Sequence, residues 1–270
     1  MKKKLAVIGV GNMAKAIIGG ILSKNLPLEE ILLFDRTATQ YEPFRNNALC
    51  RTSNSITDAV SNADCVLLAV KPQNYDEVLA EISSIPDAKE KLYISIGAGI
   101  SSESVSQRLL GAQVVRVLPN LPMLIGQGVS VICQNPALNT KDFEFVCNVF
   151  RSAGSVLLID EKDMNAIIGV TSSSPAYVFQ FISAMYQGAI SQGLDNKDLL
   201  DAICDVVIGS ALTLKNSSDT PEEWIARVAS KGGTTERALA TLKDCRFSEG
   251  IGEAMKACTA RADELGQLSK

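Results

Sequence analysis

The chain has 270 residues, 46% of them hydrophobic and 21% charged, and carries a formal net charge of −4. Enough apolar residues are present for a substantial core, but no cluster of lysines and arginines follows Lys2–Lys4 and no apolar stretch reaches transmembrane length, so neither nucleic acid nor a membrane is predicted as a partner. The sequence contains no histidine, which excludes an imidazole base, a Ser-His-Asp triad and a histidine-ligated metal within this chain, and no metal site is predicted.

A glycine-rich turn follows the first predicted strand, which ends in the apolar residues 5–8. The turn has the pattern Gly-x-Gly-x-x-Ala and leads into an apolar helical segment. Gly9 permits the sharp turn, and Gly11 lets the backbone come close to a pyrophosphate. The free N–H groups of Asn12 and Met13 at the start of the helix then face the phosphates. This arrangement of strand, turn and helix predicts a dinucleotide site.

The second predicted strand, residues 31–35, ends in a polar group. Asp35 lies about 20 residues after the glycines, where an acidic residue accepts hydrogen bonds from the adenosine ribose. Arg36 and Thr37 follow at once, and an arginine beside a hydroxyl suits a 2′-phosphate instead. The cofactor is therefore predicted to be NAD(P), with NADP preferred and NAD still open.

Residues 64–70 form a further apolar strand, which leads into Lys71-Pro72-Gln73. Ligands of open parallel sheets bind at the carboxyl ends of the strands. Val70, Lys71, Pro72 and Gln73 are accordingly predicted to lie at the cofactor. An ordinary polar loop closed by Pro72 is the alternative.

Further strands are predicted at 92–96, 114–118, 126–132 and 156–159, with helices at 101–110 and 140–152. This alternation is typical of an α/β fold with a doubly wound, mostly parallel sheet of the Rossmann type. Two prolines make a rigid turn of residues 119–122 at a strand end, which favours placing Asn120 toward the nicotinamide amide. A purely structural turn is the alternative.

After Asp160 the pattern becomes helical throughout. Helices are predicted at 161–173, 175–193, 197–215, 221–230, 235–243 and 247–266. We therefore divide the chain into an NAD(P)-binding Rossmann-like domain, 1–159, and an all-helical substrate-binding and dimerisation domain, 160–270. Long apolar stripes in the second domain predict a homodimer. The seven cysteines are scattered without a Cys-x-x-Cys pair, which indicates reduced thiols in a cytoplasmic protein.

The segment from Ser230 to Leu239 is a second chemical motif, in which a hydroxyl, a lysine, two glycines and two threonines precede a helix. Successive free N–H groups at a helix N-terminus bind anions, and glycines allow close approach. A carboxylate fits such a corner. A capped loop without a ligand is the alternative.

Several segments resemble the motifs of the pyrroline-5-carboxylate reductases, and the resemblance covers nearly the whole chain. The segments are Ala69-Val70-Lys71-Pro72-Gln73, Val117-Leu118-Pro119-Asn120-Leu121-Pro122, Ser174-Pro175-Ala176-Tyr177-Val178-Phe179, 230–235 and 252–266. The resemblance implies a Rossmann domain followed by a helical domain that interlocks in a dimer, often within a larger ring. It also implies reduction of L-1-pyrroline-5-carboxylate to L-proline with NAD(P)H, the last step of proline biosynthesis.

Residue roles follow from the same resemblance. Ser230 and the N–H groups of Gly232, Gly233 and Thr234 would hold the substrate carboxylate. Thr235 would hydrogen-bond the ring nitrogen as the catalytic residue. Asn120 and the Val70–Gln73 loop would line the nicotinamide side.

Two departures from the family pattern leave other functions open. Lys231 stands where the family usually has proline, and Ser172-Ser173-Ser174 stands where it usually has Gly-Ser-Gly. One alternative is another NAD(P)-dependent imine or small-acid reductase of the same fold. The other is a diverged, non-catalytic nucleotide-sensing paralogue.

Overall fold

The structure is a computed structural model that describes residues 2–268. Its contacts divide the chain into two units. The first unit comprises the residues up to Ser173 together with those from Lys256 onward, and the second comprises Ser174–Met255. Among the described residues, no helix has the length and apolar content needed to cross a membrane. All seven cysteines lie within residues 2–268 and are free thiols.

An eight-stranded sheet forms the centre of the first unit. Its strands are β1 (Lys3–Ile8), β2 (Leu28–Phe34), β3 (Cys50–Thr52), β4 (Cys65–Leu68), β5 (Leu92–Ser95), β6 (Gln113–Leu118), β7 (Gly128–Cys133) and β8 (Gly154–Ile159). The spatial order is β3-β2-β1-β4-β5-β6-β7-β8. Only the β6–β7 pair is antiparallel among these neighbours. The predicted mostly parallel sheet is confirmed.

Helices cover both faces of this sheet. They are α1 (Asn12–Ser23), α2 (Ile56–Ser61), α3 (Tyr75–Ser83), α4 (Ser102–Arg108) and α5 (Thr140–Arg151). One apolar cluster joins α1 and α5 to the sheet, and another joins α2, α3 and α4 to its opposite face. Serine and asparagine caps begin three of these helices, because the side chains of Ser55, Ser101 and Asn139 accept hydrogen bonds from backbone N–H groups three residues later. The doubly wound arrangement is confirmed.

The second unit contains α6 (Ser174–Ser191), α7 (Leu199–Lys215), α8 (Pro221–Val228) and α9 (Thr234–Asp244). The last helix, α10 (Phe247–Leu268), begins in this unit and ends in the first. A capping box starts α8: the Thr220 hydroxyl accepts from the Glu223 N–H, and the Glu223 carboxylate accepts from the Thr220 N–H at 2.7 Å. The predicted helical pattern after residue 174 is confirmed.

The predicted helix at 161–173 is wrong. The structure has two short 3-10 helices there, Glu161–Asp163 and Ala166–Gly169. Contacts with the sheet favour these short turns over a continuous α-helix. Met164 and Ile168 are buried against β6 and β7, and other side chains of the segment bond to Arg116.

Because these turns pack on the sheet, the first unit extends to Ser173. The predicted domains, 1–159 and 160–270, instead meet where the last strand ends. The C-terminal part of α10 also belongs to the first unit. It lies so close to the loop after β5 that a Cβ added at Gly266 would stand 2.6 Å from the carbonyl oxygen of Gly99. A glycine is needed at that crossing.

A buried arginine connects β6 to the segments packed over it. Arg116 is only 3% exposed. Its Nη1 donates to Glu161 Oε1 at 3.1 Å, and its Nη2 donates to Asn165 Oδ1 at 2.6 Å. The Asn165 amide in turn donates to Asp263 on α10 at 2.7 Å, while the Ser102 hydroxyl donates to Glu161 at 2.9 Å. This network fixes four segments of the first unit to one another.

Burial alone would raise the pKa of the Glu161 carboxyl, but the Cys133 thiol, the charge and hydrogen bonds of Arg116, and the Ser102 hydroxyl together lower that pKa below its ordinary value of 4.5. A carboxyl with a lowered pKa in the folded state stabilises the fold at pH values above its ordinary pKa. That stabilisation is lost as the pH falls through the lowered value.

We expect Glu161→Gln to lower the free energy of unfolding at neutral pH by about 1–3 kcal/mol, because the substitution leaves the buried Arg116 charge without its anionic partner. Urea denaturation measures this change. The difference from the parent protein should shrink as the pH falls below 4.5.

Glu144→Gln is the matched control, because Glu144 pairs with Arg151 on the surface. It should change the free energy of unfolding by less than about 0.5 kcal/mol. Equal effects of the two substitutions at neutral pH would contradict the role given to the Arg116 network.

Candidate functional site

The glycine turn brings the ends of three strands together. The Gly9 N–H donates to the Phe34 carbonyl at the end of β2, at 2.8 Å. Gly9 has φ +91°, and a Cβ at this position would lie 2.9 Å from the carbonyl carbon and oxygen of Ala69, just after β4. Both the backbone conformation and the close approach therefore require glycine.

Asp35 braces this turn from the end of β2. Its Oδ2 accepts from the Val10 N–H at 2.7 Å, and its Oδ1 accepts from the Thr37 N–H at 2.8 Å. The Tyr41 hydroxyl bonds to the backbone N–H and carbonyl of Asp35. Each carboxylate oxygen of Asp35 thus already holds one backbone N–H, and its contact with a ribose stays a prediction.

Gly11 begins α1 and leaves the space in front of the helix open. It has an extended backbone, and a Cβ added there would meet no protein atom within 4 Å. No side chain caps this end of α1 in the described structure. Open space beside the N–H groups of a helix N-terminus, where Asn12 and Met13 lie, fits a pyrophosphate.

A cleft of about 340 Å³ runs along this edge of the sheet. The residues that line it include seven of the predicted cofactor residues: Gly9, Gly11, Asp35, Arg36, Thr37, Val70 and Lys71. Pro72 and Gln73 belong to the short 3-10 helix Pro72–Asn74 beside it, where Asn74 rather than Gln73 lines the cleft. The size and the donor set of the cleft fit the adenosine and pyrophosphate parts of a dinucleotide.

Asn120 is 6% exposed and is held by the protein's own backbone. Its Nδ2 donates to the Thr171 carbonyl at 3.1 Å, and its Oδ1 accepts from the Val129 N–H at 2.8 Å. The side chain therefore ties the turn after β6 to β7 and to the segment before α6. Its predicted contact with the nicotinamide stays a prediction.

The second unit contains the glycine-threonine corner, residues 230–235. The Gly233 N–H donates to the Ser230 carbonyl at 2.9 Å, and Gly232 has φ +74°. A Cβ at Gly233 would stand 2.6 Å from the Ser230 hydroxyl oxygen. Gly233 is the N-cap of α9, so Thr234 and Thr235 form the first turn of that helix. The corner thus places a hydroxyl and the N-terminal backbone of a helix together.

A carboxylate already binds at this corner. Glu236 Oε2 accepts from the Gly232 N–H at 2.7 Å. An anionic oxygen is therefore held by the backbone at the place where the sequence predicts anion binding.

Sequence reasoning missed several residues of the cleft. Ile56 and Val78 line it from α2 and α3, two helices that the sequence analysis did not identify. The signal that points to α2 is Ser55 followed by an acidic residue three positions later, since Ser55 caps the Asp58 N–H at 3.0 Å.

Two family models match the chain. Residues 161–265 match the model described as pyrroline-5-carboxylate reductase dimerisation. Residues 4–99 match the model described as NADP oxidoreductase, coenzyme F420-dependent. The two matches fall on the helical part of the chain and on the first five strands of the sheet.

Full-length relatives and structures agree with these matches. The chain is 34% identical to the pyrroline-5-carboxylate reductase of Haemophilus influenzae over 269 residues, which cover 98% of each chain. It is 33% identical to the reductase of Escherichia coli over 274 residues, covering 99% of this chain and all of the other. A crystal structure of Plasmodium falciparum pyrroline carboxylate reductase with NADP bound superposes with a TM-score of 0.87 at 26% identity, covering 98% of each chain.

Gly11→Ala and Gly9→Ala separate the role of the turn in binding from its role in folding. We expect Gly11→Ala to weaken NADPH binding by about tenfold or more, because the methyl group takes the space in front of α1, while the free energy of unfolding falls by about 1 kcal/mol or less, since Gly11 is the N-cap of α1. Gly9→Ala should lower the free energy of unfolding by about 2 kcal/mol or more. Calorimetric titration measures NADPH binding, and urea denaturation measures the free energy of unfolding. Unchanged NADPH binding in Gly11→Ala would refute the site.

Proposed function

The chain belongs to the pyrroline-5-carboxylate reductase family and is an NAD(P)H-dependent oxidoreductase that reduces L-1-pyrroline-5-carboxylate to L-proline, and we propose the residues that carry this reaction. The observation that carries the proposal is the carboxylate oxygen held on the Gly232 N–H at the corner of the second unit. The substrate brings a carboxylate of the same chemistry.

The cofactor is NADP(H), and when bound it supplies a hydride. The chain's own residues bind and orient it. The N–H groups at the start of α1, Asn12 and Met13, hold the pyrophosphate, and Gly11 leaves room for it. Arg36 and Thr37 contact the 2′-phosphate, whereas Asp35 keeps the turn in shape. The Val70–Gln73 segment and Asn120 line the nicotinamide side.

The substrate carboxylate binds to the Ser230 hydroxyl and to the N–H groups of Gly232, Gly233 and Thr234, after the Gly232 N–H leaves Glu236 and the Gly233 N–H leaves the Ser230 carbonyl. The Glu236 carboxylate stands in for one oxygen of the substrate at the first of these N–H groups. Lys231, where the family pattern usually has proline, contributes a cation and one more backbone N–H beside this anion.

Thr235 is the proposed catalytic residue, and its role is to orient the ring nitrogen of the substrate. A pyrroline imine that arrives protonated would need no strong side-chain acid, because a hydride supplied to its C5 carbon would give the amine directly. The Thr235 hydroxyl hydrogen-bonds the ring nitrogen and fixes its orientation. This scheme agrees with a sequence that contains no histidine.

We expect Thr235→Ala to lower kcat by about 100-fold with little change in NADPH affinity, because the substitution removes the group that orients the ring nitrogen. Ser230→Ala should mainly raise the KM for pyrroline-5-carboxylate, by about tenfold, since it removes one hydrogen bond to a charged group. The assay follows NADPH oxidation and proline formation.

Thr241→Ala is the control for both variants, because Thr241 lies later in α9 and its hydroxyl donates to the Arg237 carbonyl of the same helix. Its kcat and KM should match those of the parent protein. If Thr235→Ala and Ser230→Ala also matched the parent, the substrate site would lie elsewhere.

We also propose that the protein works in the cytoplasm as a homodimer, or as a larger ring built from such dimers. Large apolar side chains are exposed on the second unit, including Phe179, Val206, Ile208, Leu212 and Phe247. Exposed apolar residues on this scale mark an interaction surface. Analytical ultracentrifugation should find a dimer or a larger oligomer, and a monomer at micromolar concentration would contradict the proposal.

A further inference from the structure

Three carboxylates act on the guanidinium of Arg36 at the adenosine end of the cleft. The hydrogen bond and the charge of Glu77, followed by the charges of Glu81 and Asp35, raise the pKa of Arg36. Glu77 and Glu81 lie on α3, one helical turn apart. Arg36 itself lines the cleft. The cation that suits a 2′-phosphate is thus already surrounded by anions of the protein.

Glu77 is the partner that Arg36 contacts directly. Arg36 Nη2 lies 2.5 Å from Glu77 Oε1, with the two side chains 58% and 66% exposed. Ion pairs with this much exposure are weak and exchange easily, because water solvates both charges when the pair opens. A ligand with a stronger charge at the same place therefore competes well for the guanidinium.

Asp35 is not a competitor of the same kind. Both of its carboxylate oxygens accept backbone N–H groups, from Val10 and from Thr37. Its charge is fixed beside the turn, and its hydrogen bonds keep it there. Of the carboxylates near Arg36, Glu77 is the one that must give up a bond when the guanidinium turns to a ligand.

We propose that Glu77 sets how strongly this protein prefers NADPH to NADH, by competing with the 2′-phosphate for Arg36. This inference rests on the proposed function, in which the cleft holds the dinucleotide. NADH has no 2′-phosphate on its adenosine ribose and leaves the Arg36–Glu77 ion pair intact. NADPH brings a phosphate that carries close to two negative charges at neutral pH, so it must draw Arg36 from Glu77 and bind near the Glu77 charge.

The test is Glu77→Gln in the full-length protein, with NADPH and NADH titrated separately by isothermal titration calorimetry. We expect the Kd of NADPH to fall by about two- to fivefold, the size of effect that an exposed pair allows, while the Kd of NADH stays unchanged. High salt should reduce the gain, because the competing charges are exposed.

Two further variants separate competition for Arg36 from a general change of charge. Glu81→Gln removes the same charge one helical turn away without breaking the bond to Arg36, so its effect on the NADPH Kd should be smaller. In an Arg36→Gln background, Glu77→Gln should change the NADPH Kd much less than it does in the parent, because the guanidinium for which Glu77 and the 2′-phosphate compete is absent.

Several results would overturn the inference. Glu77→Gln would do so by weakening NADPH binding, by shifting both nucleotides equally, or by keeping its full effect in the Arg36→Gln background. If the parent bound both nucleotides and Glu77→Gln left their ratio unchanged, only the role of Glu77 would fail. A parent that bound neither nucleotide would overturn the proposed cofactor site and this inference with it.

Discussion

The contact between Gly9 and the backbone after β4 is the constraint on which the proposed cofactor site depends. A side chain at Gly9 would meet the Ala69 carbonyl at 2.9 Å, and its φ of +91° is open to few other residues. Because the turn closes in this way, β1, β2 and β4 end at one edge, and α1 points its N-terminus at the cleft. The carboxylate of Asp35 then holds the Val10 N–H and makes the turn rigid. Without this closure, Gly11 and Arg36 would not line the same cleft.

In the proposed sites, anion recognition relies on backbone N–H groups more than on cationic side chains. The start of α1 offers them to a pyrophosphate, and the corner at the start of α9 already holds a carboxylate oxygen on Gly232. Backbone donors are fixed by the fold and lose little freedom when a ligand arrives. The cation at the adenosine end, Arg36, is by contrast exposed and already paired with Glu77. In this proposal, binding at the backbone sites is set by the fold, whereas the preference for a 2′-phosphate is open to adjustment by single charges.

The sequence predicted the parts of the structure that follow from apolar runs and glycine spacing. Long buried strands such as β2 and long helices such as α7 were predicted, because their apolar patterns repeat over more residues than a turn contains. The short β3 and α2 were missed, since three to six residues carry too little pattern, and the nine-residue α3 was missed as well. The segment 161–173 looked helical because its apolar spacing fits a helix, but its bonds to Arg116 divide it into turns. In the site, glycines and helix starts were predictable, whereas the bonds of Asp35, Asn120 and Glu77 depend on partners distant in sequence.

The most direct test of the central claim is hydrogen exchange at the backbone N–H groups of residues 9–14, measured with and without saturating NADPH. If the pyrophosphate binds at the start of α1, exchange at Asn12 and Met13 slows when NADPH is added, and Gly11→Ala needs about tenfold more NADPH for the same change. Slowed exchange confined to other parts of the chain, with residues 9–14 unaffected, would contradict the account.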